Sequence, residues 1–247
     1  MIDIHCHILP EMDDGPVSYD ESFEMIKNAK NHKINVVIAT PHFTDYSAIE
    51  DFVFERNEKA ILLNEMIKSF DMDITVGCGS ELYLNSEVFT AGDLDELTIN
   101  GSKYMLCEYT LNKFDTQKAV IYAEELCRRG YTPIIAHPER YISFLEQPDV
   151  VNELWDMGCR FQVNASGLAG HGGLAMQEFS KDLILKGFVD FIATDAHSPK
   201  NRNNKILEKI DEFPEEISED SIEYMLETAP LKVIKKERLE ARKVDYF

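Results

Sequence analysis

Apolar positions in this chain gather into short unbroken runs instead of alternating with polar ones. The runs are Met1–Ile8, Asn35–Thr40, Ile74–Cys78, Tyr104–Tyr109, Thr132–Ala136, Arg160–Asn164 and Phe188–Thr194. A strand with one solvated face alternates; a continuous apolar run is covered on both faces. Helical signals separate the runs. Ser18-x-x-Glu21 and Ser47-x-x-Glu50 read as capping boxes, the second opening a long helix with Phe52, Arg56, Ala60, Leu63 and Ile67 along one side. Asp115 caps a helix that Gly130 closes, Pro148 opens one that stops near Gly158, and another ends at Gly187. Thr90–Ser102 is the least regular stretch, and Ser218–Lys236 predicts one or two covering helices. Strands and helices in regular alternation predict an α/β domain over residues 1–247, built on a parallel sheet or barrel.

The unusual polar residues fall at one place in this pattern. His5 and His7 end the first run, His42 follows the second, and Glu81 follows the third. Glu108 ends the fourth, His137 follows the fifth, and Asp195 and His197 follow the seventh. In a parallel α/β barrel the C-terminal strand ends share the face where sites are built. His5 and His7 lie two apart on a strand, so they point the same way with Cα atoms about 7 Å apart. Each residue alone has an ordinary explanation, such as a hydrogen-bonded core histidine or an edge carboxylate. Eight together are costly to bury without cations. Divalent ions offset the carboxylate repulsion and use neutral imidazoles as donors. The set exceeds one tetrahedral site and suits two or three ions, with manganese, iron and zinc all compatible with nitrogen and oxygen donors. His32 reads as a surface residue, His171 as a loop residue, and Asn164 as a residue that lines the same face.

Charge and cysteine content narrow the function classes. The 25 basic and 45 acidic residues give a net charge of −20, which repels a nucleic-acid backbone. No apolar run is long enough to span a bilayer and no signal peptide is evident, so a cytoplasmic location is expected, with a homo-oligomer left open. The basic stretch Lys232–Lys243 reads as a solvated helix end. The five cysteines are odd in number and widely spaced, as expected of reduced thiols. The residues six positions after them are Met12, Leu84, Lys113, Pro133 and Ala165. None is the arginine that a cysteine-based phosphatase needs to cradle phosphate.

The segments DIHCHILPEMDDGP, ATPHF, GSELYL, CEY, IIAHPERY, FQVNASGL and TDAHS, with Arg202 shortly after, run in order through most of the chain. In these the chain resembles the polymerase and histidinol phosphatase (PHP) metal-dependent phosphoesterases. Within them it is most similar to bacterial tyrosine-protein phosphatases of capsule and exopolysaccharide synthesis. The resemblance implies a distorted, TIM-like barrel of seven parallel strands and three metal ions, usually manganese. It implies His5, His7, His42, Glu81, Glu108, His137, Asp195 and His197 as ligands. It also implies Asp14, Arg140 and Arg202 as acid and phosphate-binding residues, and the phosphotyrosine tail of a bacterial kinase as substrate; His197 is a further candidate to assist the leaving group beside Asp14. Tyr109 and Thr110 depart from the pattern, which has an apolar residue and then proline after the glutamate.

The chemistry expected is attack by a metal-activated hydroxide on phosphorus, with arginine forks on the phosphate oxygens. Two other readings compete. One is a PHP phosphatase of a small ester such as histidinol phosphate or a nucleotide. The other is a non-catalytic metal-dependent regulator that only captures phosphotyrosine.

Overall fold

The computed structural model describes all residues, 1–247. Its strands are β1 (Ile2–Cys6), β2 (Val36–Ala39), β3 (His42–Phe43), β4 (Thr75–Cys78), β5 (Glu81–Tyr83), β6 (Tyr104–Glu108), β7 (Thr132–Ala136), β8 (Arg160–Asn164) and β9 (Val189–Ala193). They form two parallel sheets, ordered β1-β2-β4 and β3-β5-β6-β7-β8-β9. Each strand predicted from the apolar runs is present.

Two of them continue beyond the predicted ends. After β2 the chain kinks at Thr40–Pro41 and resumes as β3, and after β4 it kinks at Gly79–Ser80 and resumes as β5. Pro41 has no N–H for a ladder. Its carbonyl still accepts from Glu81 N at 3.0 Å, which keeps the two resumed strands in register. The sheets also meet at their β1 and β9 margins. Asp195 N donates to His5 O at 2.9 Å, and His7 N donates to Ala196 O at 2.8 Å.

The strands are buried on both faces because they separate two apolar clusters. In β6, Tyr104 and Leu106 join one cluster, while Met105 and Cys107 join the other, against the helices. Ala229 and Val233 of helix Ala229–Ile234, with Leu239, complete the first cluster. Leu239 N donates to the Tyr104 hydroxyl at 2.7 Å, at the start of β6. The N-terminal strand ends are thus capped by apolar groups, and the opposite ends remain for polar ones.

The serine half of the first capping box forms, with Ser18 Oγ accepting from Glu21 N at 3.3 Å, while the Glu21 carboxylate accepts from Val17 N one residue before the cap. The second does not. Helix Ile49–Ser69 starts after Ala48 with no side-chain cap, because Ser47 donates both its hydroxyl and its N–H to Asp45 Oδ1. The basic C-terminal stretch also differs from expectation. The helix stops at Ile234, and Arg242 turns inward onto the buried Asp190 at 2.8 Å. His32 is not a free surface residue; its side chain is only 14% exposed and lies 3.7 Å from Glu208. No helix is long and apolar enough to cross a membrane.

Candidate metal centre

The eight residues singled out at the strand ends converge. His5 Nε2 and His7 Nε2 are 3.2 Å apart, as their shared strand face predicts. Glu81, at the start of β5, stands at the middle of the group. Its Oε2 lies 3.2 Å from His5 Nε2, 3.2 Å from His7 Nε2 and 3.1 Å from His42 Nδ1. Its Oε1 lies 2.8 Å from His137 Nε2. Glu108 approaches His42 Nδ1 at 2.9 Å. Asp195 Oδ1 lies 3.5 Å from His5 Nε2 and 3.6 Å from His7 Nε2. The His197 ring stacks on His7 with centroids 3.7 Å apart.

Local backbone aims two of these groups. His137 and Asp195 both adopt left-handed conformations, with φ of 34° and 49°. Such angles are costly in non-glycine residues and are held by surrounding structure. Each follows directly on its strand run, at the point where the chain must turn its side chain into the cluster.

The electrostatics are those of a site short of positive charge. Burial would lower His5, but Glu81 and Asp195 outweigh it and raise the imidazole to about 9. His42 behaves alike: burial is overcome by Glu108 and Glu81, and it rises to about 11. Burial would raise Glu81, yet the His5 charge, the hydrogen bond from His137 and the close approach of His42 hold it well below the usual carboxylate range. Asp195 is held low too, as His5 and His137 outweigh its burial. His197 goes the other way. Burial and the His7 charge push it down to about 3, which leaves its imidazole neutral.

The donor set fits divalent cations. His42 Nδ1, Glu81 Oε2 and His197 Nε2 are buried without a hydrogen-bond partner although acidic or imidazole atoms stand close by. Buried polar atoms that crowd together without hydrogen-bond partners are the condition a cation relieves. Four overlapping groups could each hold an ion: His7, Asp14, His42 and His197; His5, His7 and Glu81; His5, His137 and Asp195; and His42, Glu81 and Glu108. No thiol belongs to any of them.

The three remaining predicted residues border this cluster. Asp14 is 62% exposed and sits 3.2 Å from His197 Nε2 and 3.5 Å from His42 Nε2. Arg140 does not pair with its neighbour Glu139; its NH1 donates to Asp195 Oδ2 at 3.0 Å. Arg202 is not a free loop cation either. Its NH2 donates to Asp195 Oδ1 at 2.9 Å, and its NH1 reaches Asp14 at 3.4 Å. Both arginines line a cavity of about 420 Å³ beside Asp195. His171 borders the same cavity and pairs with Glu212 at 2.7 Å.

Three residues that support the cluster were not assigned a role from the sequence. Asp13 Oδ2 accepts from His7 Nδ1 at 2.6 Å and from His42 N at 3.0 Å. Gln162 Oε1 accepts from His5 Nδ1 at 2.8 Å. Glu139 is fully buried, and burial pushes its carboxyl up to about 7; its Oε1 accepts from Asn164 N at 2.8 Å. The signal for Asp13 was in the DDG turn, where either aspartate could have faced the histidines. Tyr109, one of the departures from the family pattern, is buried, with its hydroxyl on Ala119 O and its N–H on the Tyr141 hydroxyl.

Known proteins share this arrangement of sequence. The chain is 36% identical over 210 residues to the tyrosine-protein phosphatase YwqE of Bacillus subtilis, covering 82% of this chain and 80% of that one. It is 35% identical to the putative tyrosine-protein phosphatase CapC of Staphylococcus aureus, covering 82% of this chain and 79% of that one. A crystal structure from work on YwqE of Bacillus subtilis and CpsB of Streptococcus pneumoniae, described as unique metal-dependent tyrosine phosphatases, superposes with a TM-score of 0.87. It is 31% identical and covers 100% of this chain and 99% of that one. The model of the capsular polysaccharide synthesis family CpsB/CapC matches residues 1–235, and the chain belongs to that family.

Proposed function

We propose that this protein is a metal-dependent protein-tyrosine phosphatase of capsule or exopolysaccharide synthesis. The observation that carries the reading is the convergence of Glu81 with four imidazoles beside two arginines that share the Asp195 carboxylate. The names of the relatives, all tyrosine-protein phosphatases, support the substrate class. The physiological substrate in this reading is the tyrosine-rich tail of a bacterial kinase in the cytoplasm. The whole chain acts as one PHP-type domain, whose two sheets work as a single distorted seven-stranded barrel joined at β1 and β9.

In this reading His5, His7, His42, Glu81, Glu108, His137, Asp195 and His197 hold three ions, with manganese as the physiological metal. Ions held there would supply the positive field a phosphate dianion needs on an acidic protein and would lower the pKa of a water toward neutrality. The chain's own groups do the rest. Arg140 and Arg202 offer planar forks to the equatorial phosphate oxygens, exchanging Asp195 for substrate. Neutral His197 keeps a lone pair free toward the cluster. Asp14, exposed and 3.2 Å from His197 Nε2, assists departure of the phenolate in this reading, and the phenol pKa of about 10 makes modest assistance sufficient.

The test is turnover by the full chain after chelation and after manganese is restored. Phosphotyrosine peptides should be hydrolysed only with metal, and faster than histidinol phosphate. Faster histidinol phosphate or nucleotide hydrolysis would favour a small-molecule enzyme. No turnover of any ester, with peptide binding retained, would favour a capture protein.

A further inference from the structure

Strand β8 contributes no residue to the predicted ligand set, yet it lies between β7 and β9, which both lead into ligands. Its two last inward positions are amides. Gln162 and Asn164 are two apart, so they share a strand face, and both are buried. Their hydrogen bonds form an unbroken path. His5 Nδ1 lies 2.8 Å from Gln162 Oε1, Gln162 Nε2 donates to Asn164 Oδ1 at 2.9 Å, and Asn164 Nδ2 donates to Asp195 Oδ2 at 2.8 Å.

The direction of this path is fixed from its far end. Asp195 Oδ2 already accepts from Arg140 NH1 at 3.0 Å, and Asn164 turns its NH2 toward the same oxygen. The Asn164 oxygen then faces Gln162, which must present its own NH2 there. The Gln162 oxygen is therefore left for His5, and His5 must donate from Nδ1. The backbone N–H of Asn164 is itself tied to Glu139, which holds the strand end that carries the relay.

We propose that Gln162 and Asn164 are positioning residues that form a one-way hydrogen-bond chain from His5 to Asp195. The chain holds His5 with its Nε2 toward the cluster and holds Asp195 with Oδ1 turned the same way. Two residues read as ligands, one on each of the adjoining β1 and β9 margins, are thereby oriented as one unit through β8, which supplies no predicted ligand. Supporting hydrogen bonds of this kind commonly change metal affinity by about 10–100-fold when removed. The inference rests on the reading of His5 and Asp195 as ligands.

The experiment has two arms on the full chain. The first titrates Mn²⁺ into wild type, Gln162→Met, Asn164→Leu and the double variant, followed by electron paramagnetic resonance. Each single change should weaken binding about 10–100-fold, and the double should weaken it no more than the worse single. Losses that multiply, or affinities within about threefold of wild type, overturn the relay. Wild type that binds no Mn²⁺ overturns the ligand reading, and the proposal with it. The second arm needs no metal and no folded variant of Gln162. The His5 Nδ1 proton of metal-free wild type should be visible by NMR near neutral pH, since its partner protects it from exchange. Asn164→Leu, which does not touch His5, should shift or erase that resonance; an absent wild-type resonance, or one that Asn164→Leu leaves unmoved, overturns the chain.

Discussion

His5 and His7 bring their Nε2 atoms to 3.2 Å of each other and each to 3.2 Å of one Glu81 oxygen. Without a cation this geometry stores protons. His5, raised to about 9, and His42, raised to about 11, are both imidazolium at pH 7, whereas His197, lowered to about 3, is neutral. A cation must displace the first two protons and none from His197. His7 is raised as well, by Asp13 and Glu81, so cation uptake at pH 7 should release at least two protons. Calorimetry in buffers of different ionisation enthalpy measures the number, and affinity should rise with pH. Binding heats independent of the buffer would contradict the assignment.

The same shifts set the stability of the chelated protein. The folded pKa of His5 lies above its unfolded value of about 6.5, so its contribution is complete below that pH. It is lost as pH rises toward about 9. Thermal unfolding in excess chelator should show a melting temperature that falls from pH 6.5 to 9. With saturating manganese the trend should reverse, because ligand binding strengthens over that range.

Glu81→Gln tests the centre of the cluster. The amide is nearly isosteric but removes the charge that four imidazoles face. Metal retained after dialysis should drop, and phosphopeptide turnover should fall by more than about 100-fold, beyond the usual loss of one supporting hydrogen bond. Activity within tenfold of wild type would mean that Glu81 is not central.

Arg140→Lys and Arg202→Lys separate charge from shape. Both arginines use a single nitrogen on Asp195, on opposite oxygens; the rest of the Arg140 fork is open to phosphate, while Arg202 also reaches the exposed Asp14 through NH1. Lysine keeps the charge and loses the fork. Each change should lower kcat/KM by about 10–100-fold, roughly 1.4–2.7 kcal/mol, while manganese affinity stays near wild type.

Asp190→Ala addresses stability alone. This buried carboxylate accepts from Arg242 at 2.8 Å and the Tyr224 hydroxyl at 2.9 Å, with Arg160 at 3.5 Å. It sits near the start of β9, at the strand ends opposite the cluster. Its removal leaves two guanidinium groups without their shared partner and should cost about 3 kcal/mol. The melting temperature should drop by roughly 6–12 °C, with metal binding unchanged.

The sequence carried the strands and the first layer of the site because both obey short-range rules. Unbroken apolar runs mark two-sided burial, and histidine or acidic residues just past them mark one face, as in IIAH and TDAH. What it did not carry depends on orientation across strands. Gln162 is read from sequence as an ordinary strand residue; only the approach of His5 from β1 gives its amide oxygen a task. Asp13 and Asp14 are adjacent and alike, and the turn alone decides that one faces His7 and the other the exposed mouth. The missing helix cap at Ser47 has the same origin: Asp45 competes for its hydroxyl, which no spacing rule registers.

The left-handed backbone at His137 and Asp195 sets stability against activity. Glycine at either position would adopt the same angles at little cost. A chain selected for stability alone would drift toward glycine there and lose its site. Strain of about 1–3 kcal/mol at each position is the reserve that this protein gives up to keep an imidazole and a carboxylate aimed inward. Engineering a more heat-resistant form should therefore leave these two turns alone and look to the surface.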